Sequence, residues 1–442
     1  MEMREGNLFK NIFIYSIPLM FTNLLQVFFN LADVAVVGKF AGSIALGAVG
    51  STTILITLTT GWLIGMANGV NALTALFIGA SEKDSLEKCI HTGILLCLAM
   101  GLFVLGVGEF FAVDILKLLG TKDELIDQAI IYFRIYMLGS PGLALYNYGN
   151  AVLSAKGDTK RPLKYLTIAG IINVILNLVF VISFSMSADG VAIASITAEY
   201  ISAILVLKAV IYEKDDCKLV IKKISFDGAM AIRILKISIP TALQYSMFAI
   251  ANLFVQSAVN SFDHITVEGN SAAANADSII YNMMAAFYTA STSFIAQNYG
   301  AGNISRIKKT YFITTLYSFG LGLILGLLLY IFKTPFLMIF TNDVDVVETG
   351  IYRISIMAFS YGISAFMDNA TAACRGIGKT YVPTIILILG AVVFRITWIM
   401  TVFAYYRTIQ SLFLLYASSW IFTAIIENIY FYRQFKKINI PL

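Results

Sequence analysis

The sequence Gly157-x-Thr159-x-x-Pro162 recurs about half a chain later as Gly378-x-Thr380-x-x-Pro383. Two shorter motifs recur at a similar offset and in the same order: Ser16-Ile17-Pro18 with Ser238-Ile239-Pro240, and Gly79-Ala80 with Gly300-Ala301. A chain that repeats itself in this way is built from two copies of one module. In apolar chains, such a duplication is typical of secondary transporters, whose two halves surround a central site.

The composition requires lipid as the solvent for much of the chain. Of the 442 residues, 58 % are apolar and only 13 % are charged, whereas a soluble protein carries about 25 % charged residues. Apolar segments long enough to cross the hydrocarbon of a bilayer recur throughout. They predict twelve transmembrane helices, at 12–37, 45–79, 88–112, 126–152, 162–186, 190–212, 233–259, 271–298, 307–332, 347–374, 383–405 and 409–432. The predicted fold is therefore an all-α polytopic membrane protein with six helices in each copy, and because six is even, the copies are parallel repeats.

The distribution of Lys and Arg predicts the orientation in the membrane. Basic residues cluster in one set of loops, among them 156–164 and 214–236, and at both termini. The positive-inside rule therefore places both termini in the cytoplasm of a multi-pass protein of the inner (plasma) membrane. The predicted domains are an N-lobe at 1–212, a solvated cytoplasmic linker at 213–232 and a C-lobe at 233–442.

Several chemistries lack support in the sequence. The four cysteines have no paired or metal-like spacing. Gly378-Lys379-Thr380 resembles the end of a phosphate-binding loop, but Ala373 stands where that loop needs glycine. No catalytic pattern and no ATPase domain stand out, so we expect no enzyme activity, no cofactor and no nucleic-acid partner. Energy for transport would then come from an ion gradient.

Four polar residues of the first copy are predicted to form a site inside the membrane. Asp33 lies in the first span, Asn173 and Asn177 lie one turn apart on the fifth, and Ser195 lies near the start of the sixth. Helix depth places all four in the outer half of the bilayer. Intramembrane carboxylates are costly and usually mark a functional site. This set suits either Na+, held by Asp33, Asn173 and Asn177, or a proton on a desolvated carboxylate.

The second copy supports a functional role for this cluster. Val255 stands in the place of Asp33, Phe394 in that of Asn173 and Trp398 in that of Asn177. The packing of the module therefore does not require polar side chains there, although Asn can also join helices. Weaker candidates for a cavity or secondary polar site are Glu199, Asp368, Arg395, Gln256 and Tyr281. Arg395 could pair with Asp368 or Glu427 in a structural ion pair, and Gln256 and Tyr281 could simply pack between helices.

Taken together, the motifs resemble the multidrug and toxic compound extrusion (MATE) family over nearly the whole chain. The resemblance rests on the duplicated motifs above and on Asp33-Val34-Ala35-Val36-Val37-Gly38 and Gln297-Asn298-Tyr299-Gly300-Ala301. It implies a V-shaped bundle of two six-helix lobes that exports amphipathic, often cationic compounds in exchange for Na+ or H+. It also implies that Asp33, Asn173, Asn177 and Ser195 bind the coupling ion. Some members have a second acid where this chain has Asn177, so the choice of ion stays open.

The expected partners are a small amphipathic substrate and membrane lipid, and the chain is expected to act as a monomer. A flippase for lipid-linked precursors, from the same superfamily, is the alternative function. It would need a basic cavity, and Arg395 is the basic intramembrane residue that the sequence offers for one. A channel or receptor-like protein is a third possibility, and transport without dependence on an ion gradient would favour it.

Overall fold

The computed structural model describes residues 3–438, which are helical almost throughout. In chain order, the helices are α1 (Leu8–Val36), α2 (Ser43–Ala80), α3 (Lys83–Leu118), α4 (Asp123–Leu138), α5 (Ser140–Ala155), α6 (Lys160–Leu178), α7 (Ala188–Ile211), α8 (Gly228–Val259), α9 (His264–Gly300), α10 (Ile304–Ile331), α11 (Lys333–Leu337), α12 (Val344–Gly376), α13 (Tyr381–Leu387), α14 (Phe394–Trp398), α15 (Ala404–Tyr406) and α16 (Ile409–Lys436). Wider π-helical turns follow α1 and α6 at Val37–Ala41 and Val179–Ser183, and flank α14 at Ile388–Val393 and Ile399–Phe403.

Helices occupy all twelve predicted spans. Within residues 3–438, nine helices are long and apolar enough to cross a membrane, and α4 with α5 forms a tenth if the bent pair is one span. The predicted eighth and tenth spans are α9 and α12, of 37 and 33 residues. These two are less apolar, because polar residues such as Asn270, Asp277 and Arg353 lie along them. The prediction of an all-α polytopic membrane protein is confirmed.

The fourth span is not the continuous helix that the sequence predicts, because α4 and α5 meet at an angle of 41°. Pro141 in the first turn of α5 has no N–H to donate to the preceding helix. The hydroxyl of Tyr200 donates to the carbonyl of Leu138 at 2.8 Å, which satisfies one acceptor at the break. A Cβ at Gly139 would lie 2.0 Å from Oε2 of Glu199 and 2.8 Å from Cγ2 of Ile196, so a larger residue at this corner would displace these side chains.

The chain folds into two compact units whose boundaries differ from those of the predicted lobes. Residues 21–245 form the first unit, and residues 3–20 with 246–438 form the second. Each unit therefore contains the opening part of the other copy's first helix. Each division falls shortly after the duplicated proline, Pro18 in α1 or Pro240 in α8, where the helix lacks one backbone hydrogen bond.

Specific contacts hold the start of the chain in the second unit. The hydroxyl of Tyr15 donates to Oγ of Ser293 at 3.0 Å, and its ring packs edge-on against Phe294 with centroids 5.3 Å apart. The guanidinium of Arg306 donates to the carbonyls of Met3 at 3.2 Å and Gly6 at 3.1 Å. These bonds satisfy backbone acceptors before α1 begins and hold residues 3–20 in the second unit. The predicted N-lobe, in contrast, starts at residue 1.

In the first unit, α2 packs tightly against the opening part of α8 through glycines four residues apart. A Cβ at Gly65 would lie 2.5 Å from Cα of Ala242, and one at Gly69 would lie 2.0 Å from Oγ of Ser238. Ser238 uses this close approach to donate to the carbonyl of Met66 at 2.9 Å. Small residues at this spacing allow helices in lipid to approach closely and gain packing energy.

Much of the segment 213–232, which is predicted as a solvated linker, is exposed, and part of it packs against the first unit. Cys217 and Leu219 are buried, and the N–H of Val220 donates to Nε2 of His91 at 3.2 Å. Helix α8 already begins at Gly228. Burying these apolar side chains and pairing this backbone group ties the segment to α3.

An ionic cluster anchors the start of this segment. Glu213 accepts from Arg161 at 2.6 Å and from Lys156 at 3.0 Å. Arg161 also pairs with Asp158, and Lys156 with Asp215. Burial alone would raise the pKa of Glu213, but the hydrogen bonds and charges of Arg161 and Lys156 outweigh it and hold the pKa below its ordinary value of 4.5.

The glycine packing predicts opposite effects for two substitutions on the same helix. Gly65→Ala should lower the free energy of unfolding by about 1–3 kcal/mol, because the new methyl group meets backbone atoms of α8. Gly50→Ala meets no atom within 4 Å, so it should be neutral or stabilise by up to about 1 kcal/mol through helix propensity. Thermal unfolding of both variants in detergent checks this, and equal stability would contradict the packing described here.

The ionic cluster predicts a pH-dependent contribution from Glu213. Because its pKa is lowered by folding, its stabilisation is fully present above the ordinary pKa of 4.5 and is lost as pH falls through the folded value. Glu213→Gln should therefore cost about 1 kcal/mol at pH 7 and less near pH 4. Unfolding temperatures at the two pH values measure this difference. The control Glu82→Gln removes an exposed acid outside this cluster and should cost little at pH 7. A constant cost for Glu213→Gln at both pH values would refute the assignment.

Candidate functional site

A buried carboxylate stands at the centre of the first unit's polar cluster. Asp33 on α1 is only 8 % exposed. Its Oδ1 accepts a hydrogen bond from Nδ2 of Asn177 at 2.5 Å, and its Oδ2 accepts one from Oγ of Ser195 at 2.9 Å. Both carboxylate oxygens are thus held by side chains from two other helices, α6 and α7.

Asn173 links the two donors to each other. It lies one turn before Asn177 on α6, and its Nδ2 donates to Oγ of Ser195 at 3.3 Å. Its Oδ1 accepts from Nδ2 of Asn177 at 3.4 Å. The four residues that the sequence predicts as a site therefore form one hydrogen-bonded network, all within the first unit.

The close approach of α1 and α6 explains why these side chains meet. A Cβ at Gly170 would lie 1.7 Å from the ring of Phe29, so the ring occupies the space that glycine leaves open. Asp33 lies one turn after Phe29, and Asn173 lies about one turn after Gly170, so the same faces continue into the site. Both helices then widen into π-helical turns just beyond the site, a feature that often marks functional positions.

The oxygen atoms of the cluster are suited to a small monovalent cation. Oδ1 of Asn177 is buried and accepts no hydrogen bond from any residue in the range 3–438. Unsatisfied buried oxygens call for a partner, which an ion or a water molecule can supply. One carboxylate with amide and hydroxyl oxygens is the kind of donor set that hard cations prefer. A proton on Asp33 would neutralise the same charge.

Glu199 is a second buried carboxylate close to this network. It lies one turn after Ser195 on α7, and its charge interacts with that of Asp33. Its Oε2 is buried without a hydrogen-bond partner among the described residues, beside Gly139 at the break between α4 and α5. The two carboxylates thus share one region, although Glu199 makes no hydrogen bond to Asp33 in the described structure.

The predicted residues of the second unit are linked differently from those of the first: Asp368 is hydrogen-bonded to Tyr281, and Tyr281 lies near Arg395. Asp368 is buried on α12, and within residues 3–438 it forms no ion pair with Arg395. Arg395 instead donates to two neutral side chains, so the expected structural ion pair with Asp368 or Glu427 is wrong. Gln256 donates to Oδ1 of Asn260 at 2.8 Å, and Tyr281 is 37 % exposed.

The sequence analysis did not predict an ion pair that a buried arginine of the second unit forms with a partly exposed aspartate. Arg353 on α12 donates to Asp277 and to Asn270, both on α9, and Asp277 also accepts from the hydroxyl of Tyr361. Arg395 is therefore not the only basic side chain buried in a predicted span. A charged residue inside the predicted tenth span was the available signal, but the partner on a distant helix could not be read from spacing.

Comparisons with known proteins agree with this architecture. The MatE family model matches residues 18–179 and again 238–401, one match in each copy. A probable multidrug resistance protein, YpnP of Bacillus subtilis, is 26 % identical over 87 % of both chains. An FAD transporter of Shewanella oneidensis is 25 % identical over 76 % of this chain and 75 % of its own.

Solved structures show the same fold at lower identity. A MOP superfamily transporter from Pyrococcus furiosus has a TM-score of 0.92 at 20 % identity, covering 98 % of this chain and 97 % of its own. An outward-facing multidrug resistance transporter of the same superfamily has a TM-score of 0.91 at 20 % identity, with the same two coverages. The matched relatives are transporters rather than enzymes.

The network predicts that Ser195 stabilises the first unit through Asp33. Ser195→Ala should lower the free energy of unfolding by about 1–3 kcal/mol, because Oδ2 of the buried carboxylate loses its donor. Thr197→Ala is the matched control, since that hydroxyl bonds only to the carbonyl of Ile193 on its own helix. Thermal unfolding at pH 7 compares the two variants. Equal effects would mean that the hydrogen bond from Ser195 to Asp33 does not contribute to stability.

Proposed function

Because the chain belongs to the MatE family of membrane transporters, we propose that it is a secondary active antiporter. It exports amphipathic drugs or metabolites, cationic ones among them, in exchange for Na+ or H+. We place it in the inner membrane with both termini in the cytoplasm, as the distribution of basic residues favours. No cofactor is needed, since the coupling ion supplies the driving force.

The hydrogen-bonded network around Asp33 is the observation that carries this proposal. A carboxylate that is 8 % exposed and held by Asn177 and Ser195 has lost most of its contact with water. Its charge is costly in that environment unless a cation binds to it. The uncompensated charge destabilises the site, and a bound cation would stabilise it. Such a site is suited to couple ion binding to a conformational change.

The mechanism assigns a role to each residue of the network. Asp33 binds the ion, Asn173 and Asn177 present amide oxygens to it, and Ser195 orients the carboxylate. When the ion binds to Asp33, it replaces the hydrogen bonds that Asn177 and Ser195 donate to this carboxylate. This replacement favours a different arrangement of α1, α6 and α7. The ion can shift the conformational equilibrium only by its difference in affinity for the two states. The state that it favours releases the substrate outside.

The nature of the substrate has two candidates among the relatives. Several relatives are named as probable multidrug resistance proteins, whereas another is an FAD transporter. The 25 % identity to the latter over most of the chain favours a metabolite as a second candidate. A lipid-linked precursor flippase is less well supported, because Arg353 is neutralised by Asp277. Of the two buried arginines of the second unit, only Arg395 then remains to hold a pyrophosphate head group.

The proposal predicts that Asp33→Asn abolishes coupled transport while the protein still folds. The variant keeps the size of the side chain but cannot bind a cation through its charge. We would measure efflux of rhodamine 6G and of carboxyfluorescein from proteoliposomes, with sodium and proton gradients imposed separately. The wild-type protein should export at least one dye under one gradient, and the rate should fall at least tenfold in the variant.

Asp114→Asn is the matched control, since Asp114 is an exposed acid of the same unit that lies outside the network. It should transport like the wild-type protein. Coupled export by Asp33→Asn at the wild-type rate would show that the ion site is elsewhere. Dye flux that ignores both gradients in the wild-type protein would favour a channel over an antiporter.

A further inference from the structure

The second unit contains a buried arginine in the middle of a membrane span. Arg395 lies on α14 within the apolar helical span Tyr381–Tyr406, and it is 2 % exposed. The π-helical turns Ile388–Val393 and Ile399–Phe403 flank it on both sides. Such turns disturb regular packing and are frequent at functional sites. A guanidinium remains charged in this setting.

The neighbours of Arg395 do not neutralise it. Its Nε donates to Oγ of Ser419 at 3.3 Å, and its Nη1 donates to Oδ1 of Asn252 at 3.2 Å. The guanidinium also lies 4.7 Å from the ring centre of Tyr416. Among residues 3–438, no carboxylate pairs with it, and its Nη2 donates to none of them. Neutral acceptors satisfy some N–H groups but leave the positive charge uncompensated.

Arg353 provides an internal comparison in the same unit. Its guanidinium lies 5.5 Å from the ring centre of the same Tyr416, yet it is paired with Asp277. Two guanidinium groups and one carboxylate therefore meet around this ring, which leaves one positive charge in excess. Since an uncompensated charge inside a membrane is expensive, the arrangement favours an anion as the missing partner.

The side chains around Arg395 also offer a route to it. Asn252, which holds Nη1, is exposed, and Gln256 one turn later is partly exposed. The phenol of Tyr281, which lies near Arg395, is 37 % exposed. A ligand that displaced the Asn252 amide would meet two guanidinium N–H groups. That fork matches the two oxygens of a carboxylate or phosphate.

We propose that Arg395, with Asn252 and Tyr281, binds the anionic group of an amphipathic substrate. The group is a carboxylate or a phosphate, and the positive charge of Arg395, whose hydrogen bonds go to neutral side chains, selects it. The inference rests on the proposed function for its transport role, whereas the binding itself does not. A purely structural Arg395, held by Ser419 and Tyr416, is the competing explanation.

Two dyes with one ring system and different charges test the proposal. We would measure binding of carboxyfluorescein, an anion, and rhodamine 6G, a cation, to the purified full-length protein by fluorescence polarisation. The wild-type protein should bind carboxyfluorescein at least tenfold more tightly than rhodamine 6G. Arg395→Gln should remove this preference by losing at least tenfold in affinity for the anion, and Arg395→Lys should retain part of it.

The controls separate a binding role from a structural one. Arg433→Gln removes an exposed charge near the end of α16 and should change neither affinity. Arg395→Gln should leave the unfolding temperature of the ligand-free protein unchanged or higher, because it removes an uncompensated charge. Wild-type protein that fails to bind carboxyfluorescein, equal anion affinity in Arg395→Gln, or a lower unfolding temperature with equal losses for both dyes would overturn the proposal.

These outcomes are independent of the proposed antiport. Gradient-driven export of rhodamine 6G with no anion binding would refute the role of Arg395 and leave the antiporter standing. Charge-selective binding of carboxyfluorescein, with no effect of either gradient on transport, would support the anion site and refute ion coupling.

Discussion

A carboxylate in the interior of a membrane protein must either be neutralised or be surrounded by donors, and Asp33 shows how this chain meets that constraint. Asn177 and Ser195 each donate to one of its oxygens, and Asn173 joins the two donors. These bonds draw α1, α6 and α7 together, and the Gly170–Phe29 contact brings α1 and α6 close enough to form them. The geometry of the first unit around the site therefore depends on how the charge of Asp33 is balanced.

The two copies of the module differ in their buried charged groups. The first unit holds Asp33 and Glu199 without a basic partner among the described residues. The second holds Arg353 and Arg395 around Tyr416, with Asp277 paired to Arg353, and it also holds the buried acids Asp368 and Glu427. The matched prolines and glycines show that the two copies share their helix packing. This packing does not fix which residue occupies the positions of the buried charged groups. In our proposal, a cation and an anionic group bind to different units, so each ligand can bias the conformational equilibrium through its own unit.

The sequence was sufficient for the features that depend on local periodicity and on comparison of the copies. Apolar segment lengths predicted the helices, and the contrast of Asp33 with Val255 pointed to the cluster before any contact was known. Features that depend on which helices are neighbours could not be predicted. Three such features join distant parts of the chain: the pairing of Arg353 with Asp277, the packing of Glu199 beside Gly139, and the position of residues 3–20 in the second unit.

Direct ion binding to the purified protein tests the central claim most directly. Equilibrium binding of radioactive sodium, and proton uptake in weakly buffered solution, would be compared in the wild-type protein and Asp33→Asn. The account predicts about one ion bound per chain by the wild-type protein, as either Na+ or H+, and none at this site in the variant. Equal binding by the two proteins would contradict it, because the charge of Asp33 would then have no part in holding the ion.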